Sequence, residues 1–261
     1  MFTILSPAKK LDFSRAIPDV ETTQPALMMD ATILMTIVRD LSLDQIAQLM
    51  GVSEKLAALT HARFEAFDLP LSDDNAQAAA LVFDGEAYRG LNAGSLTVSD
   101  LEWAQDHLGI LSGLFGLLRP LDLIQPYRLE IATKLKTARG SNLYQFWGDR
   151  ITARINDVLA SAETPVLLNL ASTEYFKAVK PNVLNARVIT PVFHEVKEGG
   201  PGKVISFSAK FARGLMARYI VEHRVDDPEA LKQFDLERYA FQPDISTDET
   251  SIFSREFMPA R

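Results

Sequence analysis

The sequence predicts an α/β fold: one domain, a mixed β-sheet, and helices covering it. Three observations carry this reading. PVLLNLAS (165–172) is a continuous apolar run between Pro165 and Ser172, the pattern of a central strand buried on both faces. Short β-prone runs alternate with longer stretches of helical apolar spacing, the order that builds sheets with crossover helices. ARVITPVFHEV (186–196) and KVISFSA (203–209) flank the turn-rich EGGPG, which reads as an antiparallel hairpin and makes the sheet mixed. No linker, fixed-period repeat or low-complexity tract interrupts residues 1–261, so a single domain is expected throughout.

The elements follow in order. FTIL (2–5) is a strand ended by Ser6-Pro7. Residues 25–40 have a helical apolar pattern. LSLDQIAQLMGVSEKLAALTHARFEAF (41–67) reads as helix, tight turn at Gly51, helix, with Ser42 and Ser53 as N-caps and Asp44 and Glu54 suited to the first turns. ALVFDG (80–85) is strand-like. SDLEWAQDHLGILSGLFG (99–116) is helical until its glycines, and NLYQFWGDRITARINDVLA (142–160) is one strong amphipathic helix. After PVLLNLAS and the hairpin, SAKFARGLMARYIVEH (208–223) is a final long helix.

Composition limits the function classes. Hydrophobic residues make up 47%, enough for a sizeable core and too many for a disordered chain. No run approaches the roughly 18 apolar residues of a membrane span, and MFTILSPAKK does not read as a signal peptide. The chain has no cysteine, which excludes disulfides, thiol redox catalysis and thiolate metal sites. A soluble, cytoplasmic protein without a membrane partner is expected.

The net charge of -7 at first opposes a nucleic-acid partner, but its distribution matters more. Residues 21–112 carry a net of -10 and 219–261 a net of -5, whereas 113–150 carry +3 and 172–218 carry +5. If the two basic segments fold together, they form a positive cleft with acidic flanks that focuses an anion. Two separately solvated faces are the alternative.

Polar residues follow three expected strand ends at once: SPAKK with Lys9 and Lys10, ASTEYFK with Ser172, Thr173 and Lys177, and SFSAKFARG with Ser208, Lys210 and Arg213. Ligands bind at strand ends in open α/β sheets, and Ser172 or Thr173 and Ser208 are placed to cap helices whose exposed amides attract an anion. Helix capping beside ordinary surface lysines explains the same pattern. GLFGLLRPLDLIQPYRLE (113–130) is mostly apolar, yet Pro120 and Pro126 exclude a buried helix. The prolines stiffen the segment and its leucines anchor it. Arg119 and Arg128 are then held at fixed positions, as bidentate recognition of phosphate or carboxylate requires. Tyr127, Tyr144, Phe146 and Trp147 are near in sequence and suited to stacking on a base. The alternative is ion pairing, Arg128 with Glu130 or Arg119 with Asp122, with the aromatics in the core. Arg255 reads as an ordinary surface charge.

LSPAKKLDF, LSGLFGLLRPLDLIQPYRLE, NLYQFWGD, NLASTEYFK and ISFSAKFARGLMARYI resemble the signature blocks of the bacterial peroxide-stress protein YaaA family, and the likeness spans nearly the whole chain. The resemblance implies a single α/β domain with a positively charged cleft. It implies a cytoplasmic DNA-binding protein that limits hydrogen peroxide damage by keeping free intracellular iron low. It also implies a helix-hairpin-helix element, which here is LSLDQIAQLMGVSEKLAALTHARF. Projected onto the matching blocks, the DNA-binding candidates are Lys9, Lys10, Arg119, Arg128, Lys134, Lys177, Lys180, Lys210 and Arg213. The hairpin has one glycine, Gly51, in an acidic segment, which suits a packed αα-corner as well as a backbone contact.

The four histidines, His61, His107, His194 and His223, match no metal-binding spacing, so neither a metal site nor a cofactor is expected. Two classes of function remain. One is a DNA-binding stress protein that reads shape and phosphate without sequence preference. The other is an enzyme acting on a nucleotide or nucleoside, with the strand-end serines and lysines beside Asp12, Asp149 or Glu174 as acid or base.

Overall fold

The computed structural model describes residues 1–15, 18–197 and 200–257. Strand β1 (Phe2–Leu5) is buried along its whole length, as an apolar run at the centre of a sheet must be. Its neighbours are β2 (Leu108–Ser112) and, after the short β3 (Gly116–Leu118), β4 (Val166–Asn169). Beyond β4 come β5 (Arg187–Val196), β6 (Ala240–Phe241) and β7 (Thr250–Glu256). The seven-stranded order is β6-β7-β5-β4-β1-β2-β3. The five inner strands are parallel, and the pairs β2–β3 and β6–β7 at the edges are antiparallel. The result is a single α/β domain on a mixed sheet.

Helices α1 (Met28–Arg39), α2 (Leu43–Met50) and α3 (Glu54–Ala66) form as the periodicity predicts. Ser42 caps α2 in a reciprocal box with Gln45, Gly51 ends it in the left-handed region at φ +61°, and Ser53 caps α3.

ALVFDG behaves differently from the expected strand. Ala79–Val82 is a single helical turn, α4, and only Phe83–Asp84 is extended, pairing with Lys10–Leu11. All of Ala79, Ala80, Leu81 and Val82 are buried, and a uniformly apolar run carries no periodicity to separate helix from strand. Helices α5 (Glu86–Leu91) and α6 (Val98–His107) follow. The expected helix through residue 116 stops at His107, because LGILS is the strand β2. Gly109 is required there, since a Cβ would stand 2.8 Å from the Phe2 ring. The stretch 142–160 splits into α7 (Leu143–Trp147) and α8 (Arg150–Leu159) at Gly148, whose φ is +51°.

After the single turn α9 (Thr173–Phe176) the expected hairpin reduces to one bridge, Glu195 with Lys203. Glu198 and Gly199 of its loop lie outside the described residues. Val204 is exposed, and Ser206 already begins α10 (Ser206–Glu222), which buries Ala209, Ala212, Met216, Ile220 and Val221 at helical spacing. The β-branched tail segment TSIFSRE pairs with β5 in parallel register from Thr190–Thr250 to Val196–Glu256.

Helices α6, α8 and α10 pack against the sheet. The α5–α10 contact is tight because both helices have glycine at the crossing. A Cβ on Gly214 would stand 1.7 Å from the Ala87 carbonyl oxygen, and one on Gly90 would stand 2.3 Å from that of Phe211. The parallel strands wind outward from β1 to β2 on one side and from β4 to β5 on the other. The winding reverses between β1 and β4, and their carboxyl ends therefore frame the crevice where open α/β sheets take ligands.

Candidate functional site

A cleft of about 580 Å³ occupies that crevice. Its floor joins two strand ends: the Ser172 amide donates to Ser6 Oγ at 2.8 Å, and Ser6 Oγ donates to Ser172 Oγ at 3.2 Å. Ser172 also caps α9, accepting from the Tyr175 amide. Ser208 caps nothing, since it lies inside α10, whose N-cap position is Ile205. One wall is the Ser6–Leu11 segment, held by the pairing of Lys10–Leu11 with Phe83–Asp84. Another is Tyr127–Glu130, packed so closely over Gly113 that a Cβ there would stand 2.1 Å from the Leu129 carbonyl oxygen. A third is α10, with Lys210 and Arg213 one turn apart.

Tyr88, Tyr127 and Tyr175 are buried in the cleft lining. Tyr88 donates to the Ser6 carbonyl at 3.0 Å, and the Tyr127 hydroxyl shares a 2.7 Å hydrogen bond with Ser112. Burial pushes all three phenols above their ordinary pKa, so they remain neutral hydrogen-bonding groups.

Of the nine basic candidates, the cleft gathers Lys9, Lys10, Arg128, Lys210 and Arg213. It also gathers Asp84, Glu86, Glu130 and Glu174, so five cations face four carboxylates and the lining is close to balanced. Lys9 pairs with Glu130 at 2.8 Å, Arg128 pairs with Glu130 at 2.9 Å, and Lys10 pairs with Asp84, which Arg15 also holds at 2.8 Å. The hydrogen bond from Lys10, opposed by burial, lowers the Asp84 pKa. Among the described residues Lys210 and Arg213 have no carboxylate partner. Arg213 is half-buried, and that burial lowers its pKa.

The other candidates stand elsewhere. Arg119 lines a second hollow, of about 560 Å³, beside Met1 and Phe2 at the opposite end of β1. Its backbone amide donates to Asp122 Oδ2 at 2.8 Å and its guanidinium to Oδ1. Burial raises the Asp122 pKa, although these bonds and one from Thr23 oppose it. Lys177 is exposed, with its ammonium 5.0 Å from the Tyr144 ring centre. Lys134 is exposed and Lys180 half-buried, and neither lines the cleft. Both ion pairs considered from the sequence form, and Phe146 and Trp147 are core residues. Of the acid–base candidates only Glu174 lines the cleft; Asp12 instead accepts from Ser14 and Arg15.

Arg255 is not a surface charge. Its side chain is 9% exposed, pairs at 2.7 Å with the buried Glu195, and lies over the Tyr239 ring. Sequence reading also missed Asp84, Glu86 and the buried tyrosines Tyr88 and Tyr175. Counting charge by segment treats an acidic residue as dilution, when here Asp84 and Glu130 are each matched to particular cations.

The helical turn at Gly51 has its amides occupied. The N–H groups of Gly51 and Val52 both donate to the Ala47 carbonyl. Among the described residues no three His, Asp or Glu side chains converge as metal ligands, and no helix is long and apolar enough to cross a membrane.

A family model described as peroxide stress protein YaaA matches residues 1–245. A UPF0246 protein of Bordetella petrii is 49% identical over 98% of this chain and 100% of its own length. One from Ralstonia nicotianae is 50% identical, covering 98% and 99%, and one from Neisseria meningitidis is 49% identical, covering 98% of each.

Proposed function

The chain belongs to the peroxide stress protein YaaA family, and from that premise we propose that it binds DNA by its phosphates, without reading sequence, at the strand-end cleft. The observation that carries this reading is the pair Lys210 and Arg213. They face the same cleft as Arg128 from a different element, and no carboxylate among the described residues neutralises them. The cleft is thus positively charged on its α10 side even though its total is nearly balanced. In this reading the helix-hairpin-helix-like element α2–Gly51–α3 acts as a packed corner, because its turn amides are already bonded to Ala47. The family resemblance adds to this reading a cytoplasmic role in limiting free intracellular iron.

A second reading is favoured by the size of the cleft. About 580 Å³ is the volume of a small-ligand site, and the neutral tyrosines beside Arg128 suit a nucleotide. In that case the protein is an enzyme acting on a free nucleotide or nucleoside, with Glu174 as the acid or base the cleft offers.

One experiment separates the two. The affinity for duplex DNA is measured across a series of salt concentrations, beside a thermal-shift screen of nucleotides. Each phosphate contact steepens the plot of log K against log salt by about 0.9. A steep slope without a nucleotide shift supports DNA. A nucleotide shift without measurable duplex binding removes the DNA reading.

A further inference from the structure

Glu130 holds two of the cleft's cations at once. Its Oε1 accepts from Arg128 Nη2 at 2.9 Å, and its Oε2 lies 2.8 Å from Lys9 Nζ. A carboxylate used this way presents two oxygens to a guanidinium and an ammonium, which is also how a phosphate would use them. Arg128 is not saturated by this contact, for its buried Nε–H has no acceptor. One carboxylate thus serves two cations, and the unused donor points to a ligand with more oxygens than Glu130 supplies.

We propose that Arg128 and Lys9 form a phosphate seat in the cleft wall and that Glu130 is its resident competitor, displaced when phosphate enters. The proposal rests on the phosphate-binding reading above and adds the residue that sets its affinity. Lys9 is 68% exposed, so its bond to Glu130 is screened by water and readily exchanged. Arg128 is mostly buried and anchored, and it keeps its position while its partner changes. The exchange matches charge: Glu130 swings into solvent as a carboxylate, and the phosphate takes the two cations and the free Nε–H. The same seat accepts a DNA phosphodiester or the phosphate of a free nucleotide.

The test is titration calorimetry on the full chain with three probes: inorganic phosphate, AMP and a short DNA duplex. Glu130→Gln removes the competing charge at constant shape and should tighten phosphate by about tenfold, the scale of one charge-assisted hydrogen bond. Glu130→Ala gives the same readout if the glutamine variant does not fold, and melting curves on each preparation establish folding. Adding Arg128→Ala to Glu130→Gln should abolish the gain. Whichever of AMP and duplex shares the gain identifies the source of the phosphate. If wild type binds duplex but no probe binds more tightly to either Glu130 variant, the competitor role falls and DNA binding stands. If no probe binds wild type or any variant, both fall.

Discussion

Ser172 donates its backbone N–H to the side chain of Ser6 at 2.8 Å, joining the carboxyl ends of β1 and β4 across 166 residues of sequence. The bond fixes the spacing of the two loops that flank the cleft floor. Ser6 is half-buried, so its loss leaves the Ser172 amide short of an acceptor in a partly dry place. Ser6→Ala should lower stability by about 1–2 kcal/mol and weaken ligand binding. Chemical denaturation and DNA affinity on one preparation check this. Unchanged stability would show that water replaces the hydroxyl at no cost.

Asp84 gives a pH dependence. Its pairing with Lys10 and Arg15 lowers its folded pKa, so the unfolded chain binds the proton more readily. Its stabilising contribution is present above the unfolded value of about 3.9 and is lost as pH falls through the lower folded value. Asp84→Asn should therefore melt earlier than wild type at pH 7, with the gap narrowing as the pH is taken below about 4. A gap that widens on acidification would contradict the assignment.

Gly214 lets α10 approach α5, and this approach sets where Lys210 and Arg213 meet the cleft. Gly214→Ala cannot be absorbed by a side-chain movement, because the added carbon meets the Ala87 backbone. The helix has to shift, at a cost of about 1–3 kcal/mol, and DNA binding should fall with it. A melting temperature equal to wild type would show that the helix pair separates freely.

Arg255 is expected to be structural. Arg255→Ala leaves the Glu195 carboxylate buried and without its guanidinium, which costs about 3–5 kcal/mol. The effect should appear in melting temperature, with the cleft's affinity unchanged at temperatures where the variant is folded. A surface-like loss of only a few tenths of a kcal/mol, the usual range for exposed sites being about ±0.5, would contradict it.

Local signals made much of the fold legible. β1, β4 and the α2–α3 unit announce themselves by apolar runs, caps and a turn glycine. What was not legible depends on partners distant in sequence. LGILS becomes a strand because β1 offers it an edge and Gly109 makes room for Phe2. KVIS keeps only the Lys203–Glu195 bridge, because Ser206 already begins α10. Arg128 and Lys210 were visible as basic residues in a stiffened turn and behind a strand end, and both line the cleft. Arg119 looked equivalent to Arg128, but β3 runs antiparallel to β2 and carries it back to the amino end of β1, where Asp122 holds it. Arg255 looked like a surface charge because nothing nearby in sequence reveals Glu195.

On the proposed reading, the α10 side of the cleft supplies uncompensated charge to DNA phosphates. The most direct test compares the salt dependence of duplex binding for wild type and the double variant Lys210→Ala, Arg213→Ala, with melting temperature confirming the fold. Two lost phosphate contacts should reduce the slope of log K against log salt by about 2 and weaken binding similarly for unrelated sequences. An identical slope and affinity in the folded double variant would contradict the account.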